Sequence, residues 1–380
     1  YTLEIQLEYE TNALLLALTE PVAMPCNEEF FISTKGKYGK DYDLIITNGA
    51  FEIRENYGWD HEKYIYLRRS NDYKGLNKAI PAGINFTYGD FPENSISALI
   101  TQEIDLCEIY GDQLENAREN ALNITTSTNT LWGICYNTDI KAFKNAKLRV
   151  SLFGSLNRDE LLANVPNSYV PTNQLISKDV LYAGKNYRDE VGDKVLTPAD
   201  NAKAMYAKAK EELDENGIEL KSSYTIICLN DDASSKLVTE IIEDWNTLTG
   251  CYFNKEPLPR NELESRMKSG NYEIAIAPLN TSMESPMELL SKFVSNSADN
   301  YINLNYPAYD EFINTALSKN GDFAIDALSE AEGYLVDYAY LYPLYYESRY
   351  FATASNVSGV IFSTTGEGID FTQVTKIPEE

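Results

Sequence analysis

The chain has 380 residues, 43% of them hydrophobic and 24% charged, a size and balance typical of a folded protein with two domains. Its 32 basic and 58 acidic side chains give a formal net charge of −26, which argues against nucleic acids and anionic membranes as partners. The longest apolar run, residues 13–18, is far shorter than the roughly 20 residues that a membrane-spanning helix needs.

The first third of the chain is predicted to combine strands with a short helix. In residues 1–7 the apolar side chains recur at every second position, the period of a strand with one buried face. Comparable patterns predict strands at residues 51–53, 64–67, 84–88 and 104–109, and a helix at about residues 93–101. Mixed α and β structure is therefore expected here.

The middle of the chain has helical periods and one βαβ unit. Asn145 is a suitable N-cap for a helix, and a second helix is expected to begin at Pro198 and to end at Gly217. Residues 224–229 form a nearly continuous apolar run, typical of a strand covered on both faces. A helix at 235–249 and a strand from residue 251 follow, and the handedness rule places the two strands parallel.

The last third is predicted to be mainly helical. The patterns indicate a helix at residues 259–269, a strand at 272–277 and helices near 286–295, 307–318 and 324–341. Pro343 is expected to break the last helix, because proline cannot donate the backbone hydrogen bond that a helix interior requires.

Little in the sequence points to catalysis. His61, the only histidine, lies in a polar segment where a solvated role is expected, so catalytic triads and histidine-rich zinc sites would all depend on that one residue. Neither a Cys-x-x-Cys spacing nor a glycine-rich nucleotide motif occurs. We therefore expect no enzyme activity, no metal and no cofactor. A secreted acidic hydrolase is the alternative from a different class, since 58 carboxylates could include a catalytic pair.

Two of the five cysteines lie in the βαβ unit. Cys228 belongs to the first strand and Cys251 begins the second, 23 residues later. An oxidising exterior would permit a disulfide between them, but two parallel neighbours must also meet the short Cα separation that the bond demands. The sequence is compatible with a disulfide between Cys228 and Cys251 and equally with two buried thiols.

Eight segments spread along the chain carry a further indication. They are Asn48-Gly49-Ala50-Phe51, Arg69 to Tyr73, Glu103-Ile104-Asp105, Leu131 to Thr138, Leu148 to Arg158, the helix that includes Asn201 to Ala204, the βαβ unit through Trp245, and Pro343 to Tyr346. In this order they resemble the family 5 extracellular solute-binding proteins, the oligopeptide- and dipeptide-binding receptors of bacterial ABC importers. No single motif is specific to this family, but the order of the eight segments over nearly the whole chain is specific to it.

The resemblance implies an α/β, class II periplasmic-binding-protein-like fold, a two-lobed Venus flytrap with mixed sheets and no catalytic activity. Members of the family carry a further N-terminal part, so the resemblance implies that lobe I is incomplete here. Residues 1–112 and 350–380 would form what remains of lobe I, and residues 113–349 would form a complete lobe II.

The resemblance also implies a ligand and a location. The protein would be a monomeric extracytoplasmic receptor, periplasmic or lipid-anchored on the outer face of the cell membrane, that closes on oligopeptides and delivers them to ABC transporter permease subunits. A receptor for a glycan or a metal chelate is the alternative among binding proteins. The ligand-binding candidates are aromatic or small polar residues: Trp132, Tyr136, Asn280, Ser282, Tyr345 and Tyr346.

The sequence departs from the family after the strand predicted at residues 272–277. Peptide receptors of the family carry a Gly-Trp pair there and then an Asp that binds the peptide α-amino group, whereas this chain has Leu279 and Ser282 at the Trp and Asp positions. Without that carboxylate an ammonium group loses a charge-assisted hydrogen bond. We therefore expect a receptor that depends less on a free peptide N-terminus, or one that takes a different ligand.

Overall fold

The computed structural model describes residues 2–7, 14, 18, 23–76, 78–88, 95–110, 113–163, 169–178, 180–182, 184–196, 201–280, 285–362 and 368–377, the side chains of 127–129 excepted. The chain divides into two units. The larger unit comprises residues 1–13 and 128–348, and the smaller unit comprises residues 14–127 and 349–380. The lobe boundaries inferred from the family resemblance concern which segments move together, and they stay a prediction.

Every described α-helix of more than six residues lies in the larger unit, which also holds some as short as those of the smaller unit. In chain order they are α1 (Glu28–Ser33), α2 (Ser95–Ile100), α3 (Leu114–Glu119), α4 (Ala146–Gly154), α5 (Arg158–Ala163), α6 (Tyr187–Val191), α7 (Ala202–Glu215), α8 (Asp232–Thr249), α9 (Arg260–Lys268), α10 (Pro286–Leu290), α11 (Pro307–Ser318) and α12 (Asp322–Asp337). Short 3-10 helices occupy Tyr42–Leu44, Lys141–Lys144 and Ser291–Phe293.

The described strands include two that are much longer than the rest. In chain order the strands are β1 (Phe51–Ile53), β2 (Trp59–Asp60), β3 (Tyr64–Arg69), β4 (Gly83–Thr87), β5 (Leu106–Ile109), β6 (Asn123–Tyr136), β7 (Val170–Pro171), β8 (Leu181–Tyr182), β9 (Lys185–Asn186), β10 (Ser223–Leu229), β11 (Tyr252–Leu258), β12 (Ile274–Asn280), β13 (Leu341–Thr353), β14 (Val357–Ser358), β15 (Ile361–Phe362), β16 (Ile369–Asp370) and β17 (Thr375–Lys376).

The larger unit is built on a mixed sheet with the strand order β11-β10-β12-β6-β13, and β7 pairs with β13. Strand β10 is parallel to both β11 and β12, whereas β6 is antiparallel to β12. The register of β10 on β11 runs from Ser223 opposite Tyr252 to Leu229 opposite Leu258. The predicted parallel βαβ unit is therefore confirmed.

Helix α8 connects the two parallel strands, and its sequence explains its position. The carboxylate of Asp231 caps the first turn by accepting from the backbone N–H of Ser234 at 2.8 Å, and Gly250 ends the helix in the left-handed conformation at φ 71°. Its apolar stripe, which includes Ile241 and Trp245, is buried against the sheet. Trp245 donates its indole N–H to the Leu152 carbonyl at 2.8 Å, which satisfies the one polar atom of a fully buried ring.

The smaller unit has an antiparallel sheet of its own, in which β3 pairs with β1, β2 and β4. Strand β5 pairs with the last four residues of β13, from Tyr350 opposite Ile109 to Thr353 opposite Leu106. A small core forms around them, with Leu99, Ala117 and Ala352 among its most buried members. The predicted mixture of strands and short helices is confirmed for this region.

Three predicted elements are wrong in place or kind. Residues 2–7 form no strand and Leu3 is 82% exposed, because an alternating pattern gives a strand only where a partner supplies hydrogen bonds. Helix α7 begins at Ala202, where Asn201 accepts from the backbone N–H of Ala204, and not at Pro198, which lies outside the described residues.

The last helix also ends earlier than predicted, and its end has a physical cause. Helix α12 stops at Asp337, and Pro343 lies inside β13. The backbone N–H groups of Ala339 and Tyr340 donate to the carbonyls of Val336 and Leu335, so carbonyls of the last turn find partners before the proline is reached. The buried guanidinium of Arg149 donates to the carbonyls of Tyr338 and Ala339, just after the helix. Ala339 turns the chain with φ 51°.

The disulfide alternative is excluded by the register of the βαβ unit. Cys251 directly precedes Tyr252, which lies opposite Ser223, whereas Cys228 lies opposite Pro257. The two cysteines are therefore offset by six residues along the sheet, at about 3.3 Å each, far beyond disulfide reach. All five cysteines have free thiols.

Candidate functional site

The candidate site lies where the three parallel strands end. Strands β10, β11 and β12 finish at Leu229, Leu258 and Asn280, and helices α8 and α9 begin within three residues of the first two ends. The antiparallel pairing of β6 brings Leu131 opposite Asn280 at the same edge. In open α/β sheets, ligands bind outside the carboxyl ends of the strands, so this edge is where a site is expected.

Three aromatic rings are stacked beside this edge. The Trp132 ring lies 6.2 Å from the Tyr345 ring at an angle of 18°, and the Tyr169 ring lies 5.0 Å from Tyr345 at 15°. Trp132 and Tyr345 are buried, whereas Tyr169 is half-buried. Strand β7 pairs with β13 at Tyr345, and Tyr169 directly precedes β7, which explains how a loop residue joins the stack. We call Trp132, Tyr345 and Tyr169 the aromatic stack.

An ion pair adjoins the stack. Arg260, the first residue of α9, donates from Nη2 to both carboxylate oxygens of Glu347 at 2.8 Å. The indole N–H of Trp132 donates to Oε2 of the same carboxylate at 2.8 Å, and the Arg260 guanidinium lies 5.1 Å from the Trp132 ring centre. Partial burial alone would lower the pKa of Arg260, but Glu347 outweighs it and the pKa is raised.

The stack and the ion pair together offer two kinds of contact. The Tyr169 ring is the partly exposed member of the stack and offers an apolar face, whereas burial raises the pKa of the Tyr345 hydroxyl above its usual 10. The side chains of Arg260 and Glu347 are 42% and 20% exposed, so solvent reaches both charges. Apolar faces beside groups of both signs suit a ligand with hydrophobic side chains and charged ends.

A cavity of about 580 Å³ lies next to Asn280. The Oδ1 of Asn280 accepts from the ammonium of Lys292 at 2.7 Å, and Asn280 itself is 3% exposed. Burial lowers the pKa of Lys292. Helix α9 forms another wall of this cavity, so the cavity and the aromatic stack both involve the same helix.

The structure brings together only some of the predicted site residues. Trp132 and Tyr345 contact each other, and Asn280 lies at the end of the neighbouring strand. Ser282 lies outside the described residues. Tyr346 points elsewhere: its hydroxyl donates to the Gln174 carbonyl at 3.4 Å, because successive residues of a strand face opposite sides of the sheet.

Tyr136 is placed in the core. It is fully buried, and its ring lies 4.9 Å from the ring of Phe143, 5.1 Å from Phe153 and 6.0 Å from Trp245. Trp132 lies at the carboxyl edge of β12, whereas Tyr136 lies four residues further along β6, opposite Ile274 under the helices. Its surroundings favour packing over ligand contact.

Three residues of the site were missed by sequence reasoning. Arg260 had a usable signal, because it follows a strand of the βαβ unit at the start of a helix. Glu347 had one as well, since it lies two residues from Tyr345 on the same face of β13. Tyr169 had none, because it comes from a short loop whose position depends on β7.

The described part of the chain holds neither a cluster suited to a metal ion nor a helix suited to span a membrane. Within it, no group of three or more His, Cys, Asp or Glu side chains is arranged to hold a metal ion. None of its helices has the length and apolar character needed to span a lipid bilayer.

The mixed sheet, with helices connecting its parallel strands and the candidate site at their carboxyl edge, defines an α/β protein. The model of the family described as bacterial extracellular solute-binding proteins, family 5 Middle, matches residues 1–301. The chain therefore belongs to the family 5 extracellular solute-binding proteins, and the predicted family is confirmed.

Known relatives extend the comparison over nearly all of the chain. The oligopeptide-binding protein OppA of Bacillus subtilis is 22% identical over 378 residues, which cover 96% of this chain and 68% of that protein. The substrate-binding domain of an oligopeptide ABC transporter from Bacillus anthracis superposes with a TM-score of 0.72 at 20% identity, covering 98% of this chain and 73% of the other.

A structure of Listeria monocytogenes OppA bound to peptide superposes with a TM-score of 0.73 at 17% identity, covering 98% of this chain and 72% of the other. At such identities the likeness of the structures concerns the fold. The predicted periplasmic-binding-protein-like α/β fold is confirmed.

Proposed function

We propose that the protein is the ligand-binding receptor of an ABC importer and that its ligands are oligopeptides. Membership of a family of extracellular solute-binding proteins supports binding outside the cytoplasm, and the family is one of receptors, not enzymes. The relatives named as oligopeptide-binding proteins support the ligand class. Periplasmic location or a lipid anchor, a monomeric state and delivery to permease subunits are further parts of this proposal.

The observation that carries the proposal is the aromatic stack with its ion pair at the carboxyl edge of the sheet. A peptide combines apolar side chains with a charged group at each end. The half-buried ring of Tyr169, which is stacked on Tyr345, can pack against the former, and Arg260 and Glu347 can exchange their mutual ion pair for contacts with the latter. A neutral glycan could pack on the aromatic rings, but it has no charged groups to pair with Arg260 and Glu347.

The mechanism in this proposal is closure of two lobes over the peptide. Residues 1–112 with 350–380 would move as one lobe and residues 113–349 as the other, and the closed form would be presented to the permease. Ligand binding drives such a closure only to the extent that the closed form binds more tightly than the open form. The chemistry required of the site is therefore selective binding, without bond making or breaking.

Isothermal titration calorimetry of the full chain against pools of short peptides tests the proposal. We expect saturable binding, and we expect Trp132→Phe to weaken it, because the variant keeps a ring but loses the N–H bonded to Glu347. Tyr338→Phe is the matched control, since Tyr338 is 48% exposed and lies at the end of α12.

Glycans and metal chelates form the comparison arms of the same titration. Binding of either class without binding of any peptide pool would overturn the assignment of peptides. Turnover of a broad panel of chromogenic substrates by the wild-type chain would instead favour the hydrolase alternative. Absence of every response would leave the proposal without support and sink it.

A further inference from the structure

We propose that the cavity beside Asn280 is a subsite for a carboxylate group of the ligand, with Lys292 as its specificity-determining residue. The proposal rests on the proposed function, because it assigns one part of the ligand to one part of the same edge of the sheet. The chemical class follows from the lysine: an ammonium group attracts an anion and repels the ammonium end of a peptide.

The ammonium of Lys292 is held inside the cavity wall. It donates to Oδ1 of Asn280 at 2.7 Å, and this acceptor is the last residue of β12. Asn280 is 3% exposed, so its side chain fixes the ammonium at the carboxyl edge of the strand. An amide oxygen orients the ammonium but carries no full charge to compensate it.

Several other lysines of this acidic chain are paired with a carboxylate. Lys147 contacts Glu212, Lys185 contacts Glu190, and Lys221 contacts Glu273, each within ion-pair distance. Among the described residues, no carboxylate lies within 4.0 Å of the Lys292 ammonium. The sequence has 58 acidic side chains, yet the half-buried Lys292 donates to a neutral amide instead of a carboxylate, unlike the paired lysines above.

Burial disfavours the charged form of Lys292 and lowers its pKa, and the carboxylates of Asp299 and Glu288 offset this effect only in part. A ligand carboxylate in the cavity would supply an opposite charge in direct contact and a charge-assisted hydrogen bond. Perturbed titratable groups in cavities are common at binding sites, and here the geometry gives the same indication independently.

The other charged groups of the cavity restrict the kind of anion that it can bind. Lys268, on α9, lies 3.8 Å from Asp299, so its charge already has a partner. Glu264 also lines the cavity and adds a second carboxylate. A doubly charged phosphate would meet stronger repulsion from Asp299 and Glu264 than a singly charged carboxylate would, so we assign a carboxylate.

A peptide offers two sources of this group: its C-terminus and an acidic side chain. The peptide Ala-Phe-Glu, its C-terminal amide and Ala-Phe-Gln separate them, because each of the last two lacks one carboxylate. We expect the wild-type chain to lose about 10- to 100-fold in affinity, measured by calorimetry, for the peptide that lacks the bound group.

Variants assign that loss to the lysine. Lys292→Met should bind Ala-Phe-Glu as weakly as the wild type binds the deficient peptide, and should no longer distinguish the two. Lys292→Arg should keep most of the discrimination. Lys185→Met is the matched control, because Lys185 does not line this cavity and its ion pair with Glu190 is exposed, so we expect a loss below about twofold. Thermal unfolding of each variant verifies that it is folded.

The outcomes keep this proposal separate from the proposed function. Equal affinity of the wild type for all three peptides would overturn the subsite and leave the peptide receptor intact. If none of the three binds, titration with succinate, followed by NMR at the Lys292 side chain, decides the subsite alone. A saturable shift at Lys292 supports it even though peptide binding fails, and no shift overturns it.

Discussion

The aromatic stack and the Lys292 cavity lie at the same edge of one sheet, but they differ in how their charged side chains are paired. Beside the stack, Arg260 and Glu347 form an ion pair at 2.8 Å, and the indole N–H of Trp132 donates to the same carboxylate. In the cavity, the ammonium of Lys292 has only the amide of Asn280 as a hydrogen-bond partner among the described residues. The first region is balanced without a ligand, whereas the second is not.

This difference in charge pairing suggests that one region sets the general affinity for ligands and the other sets the preference among them. A balanced ion pair must be opened before a ligand can use its charges, so part of the gain is lost in breaking existing bonds. The Lys292 ammonium has no direct ion pair among the described residues, so an anion can contact it without such a bond being broken first. We therefore expect the aromatic stack to supply most of the general affinity and Lys292 to decide which ligands are preferred.

The largest expected effect concerns a third charge arrangement, buried and fully paired. Arg188 donates to both oxygens of Glu332, one of them at 3.0 Å, and both side chains are nearly inaccessible. Glu332→Gln would leave the guanidinium buried beside a neutral group, and should lower the free energy of unfolding by about 3–5 kcal/mol in urea titrations.

The exposed pair of Lys185 and Glu190, 3.1 Å apart, provides the control. Glu190→Gln should cost less than about 1 kcal/mol, because solvent screens both charges. If the two substitutions cost the same, burial does not set the value of a charge pair in this protein, and the contrast between the stack and the cavity loses its basis.

The second effect in size concerns the aromatic stack. For a peptide that binds the wild type, Tyr345→Ala should remove at least about 2 kcal/mol of binding free energy, or roughly 30-fold in affinity. Tyr346→Ala is the matched control, because Tyr346 is equally buried on the same strand but its hydroxyl contacts the Gln174 carbonyl. Calorimetry on both variants measures the difference. Equal losses would mean that damage to β13, and not the ring of Tyr345, weakens binding.

The parallel strands of the larger unit were predictable because their signals are local. The apolar run of β10 indicates a strand buried on both faces, and Asp231 and Gly250 mark the ends of α8 within the sequence itself. The strand expected at residues 1–7 was wrong for the complementary reason: alternation shows which face could be buried, but not whether a partner strand is present.

The site was only partly predictable, because its residues meet through long-range contacts. Trp132 and Glu347 are 215 positions apart in the sequence, and their hydrogen bond depends on two strands that share the same sheet. Tyr136 shows the converse. It shares a face of β6 with Trp132, so residue type and period do not separate them, and only distance from the carboxyl edge does.

The smallest expected effect is a pH dependence that belongs to the cavity alone. Burial lowers the pKa of Lys292 below its usual 10.5, with Asp299 and Glu288 raising it in part and Lys268 lowering it further. Only the protonated amine attracts a carboxylate. The preference for Ala-Phe-Glu over the peptide lacking the bound group should therefore be complete at neutral pH and decline as the pH rises through this lowered pKa, below 10.5.

Glu264 and Tyr301 also line the cavity, so a substitution must show which group titrates. Arginine stays charged throughout the range, and Lys292→Arg should therefore keep the preference at alkaline pH. Calorimetry at a series of pH values on the wild type and on this variant measures the difference. An identical alkaline decline in both proteins would assign the titration to a group other than Lys292. The cavity would then be no different from the aromatic stack in the way its charge responds to a ligand.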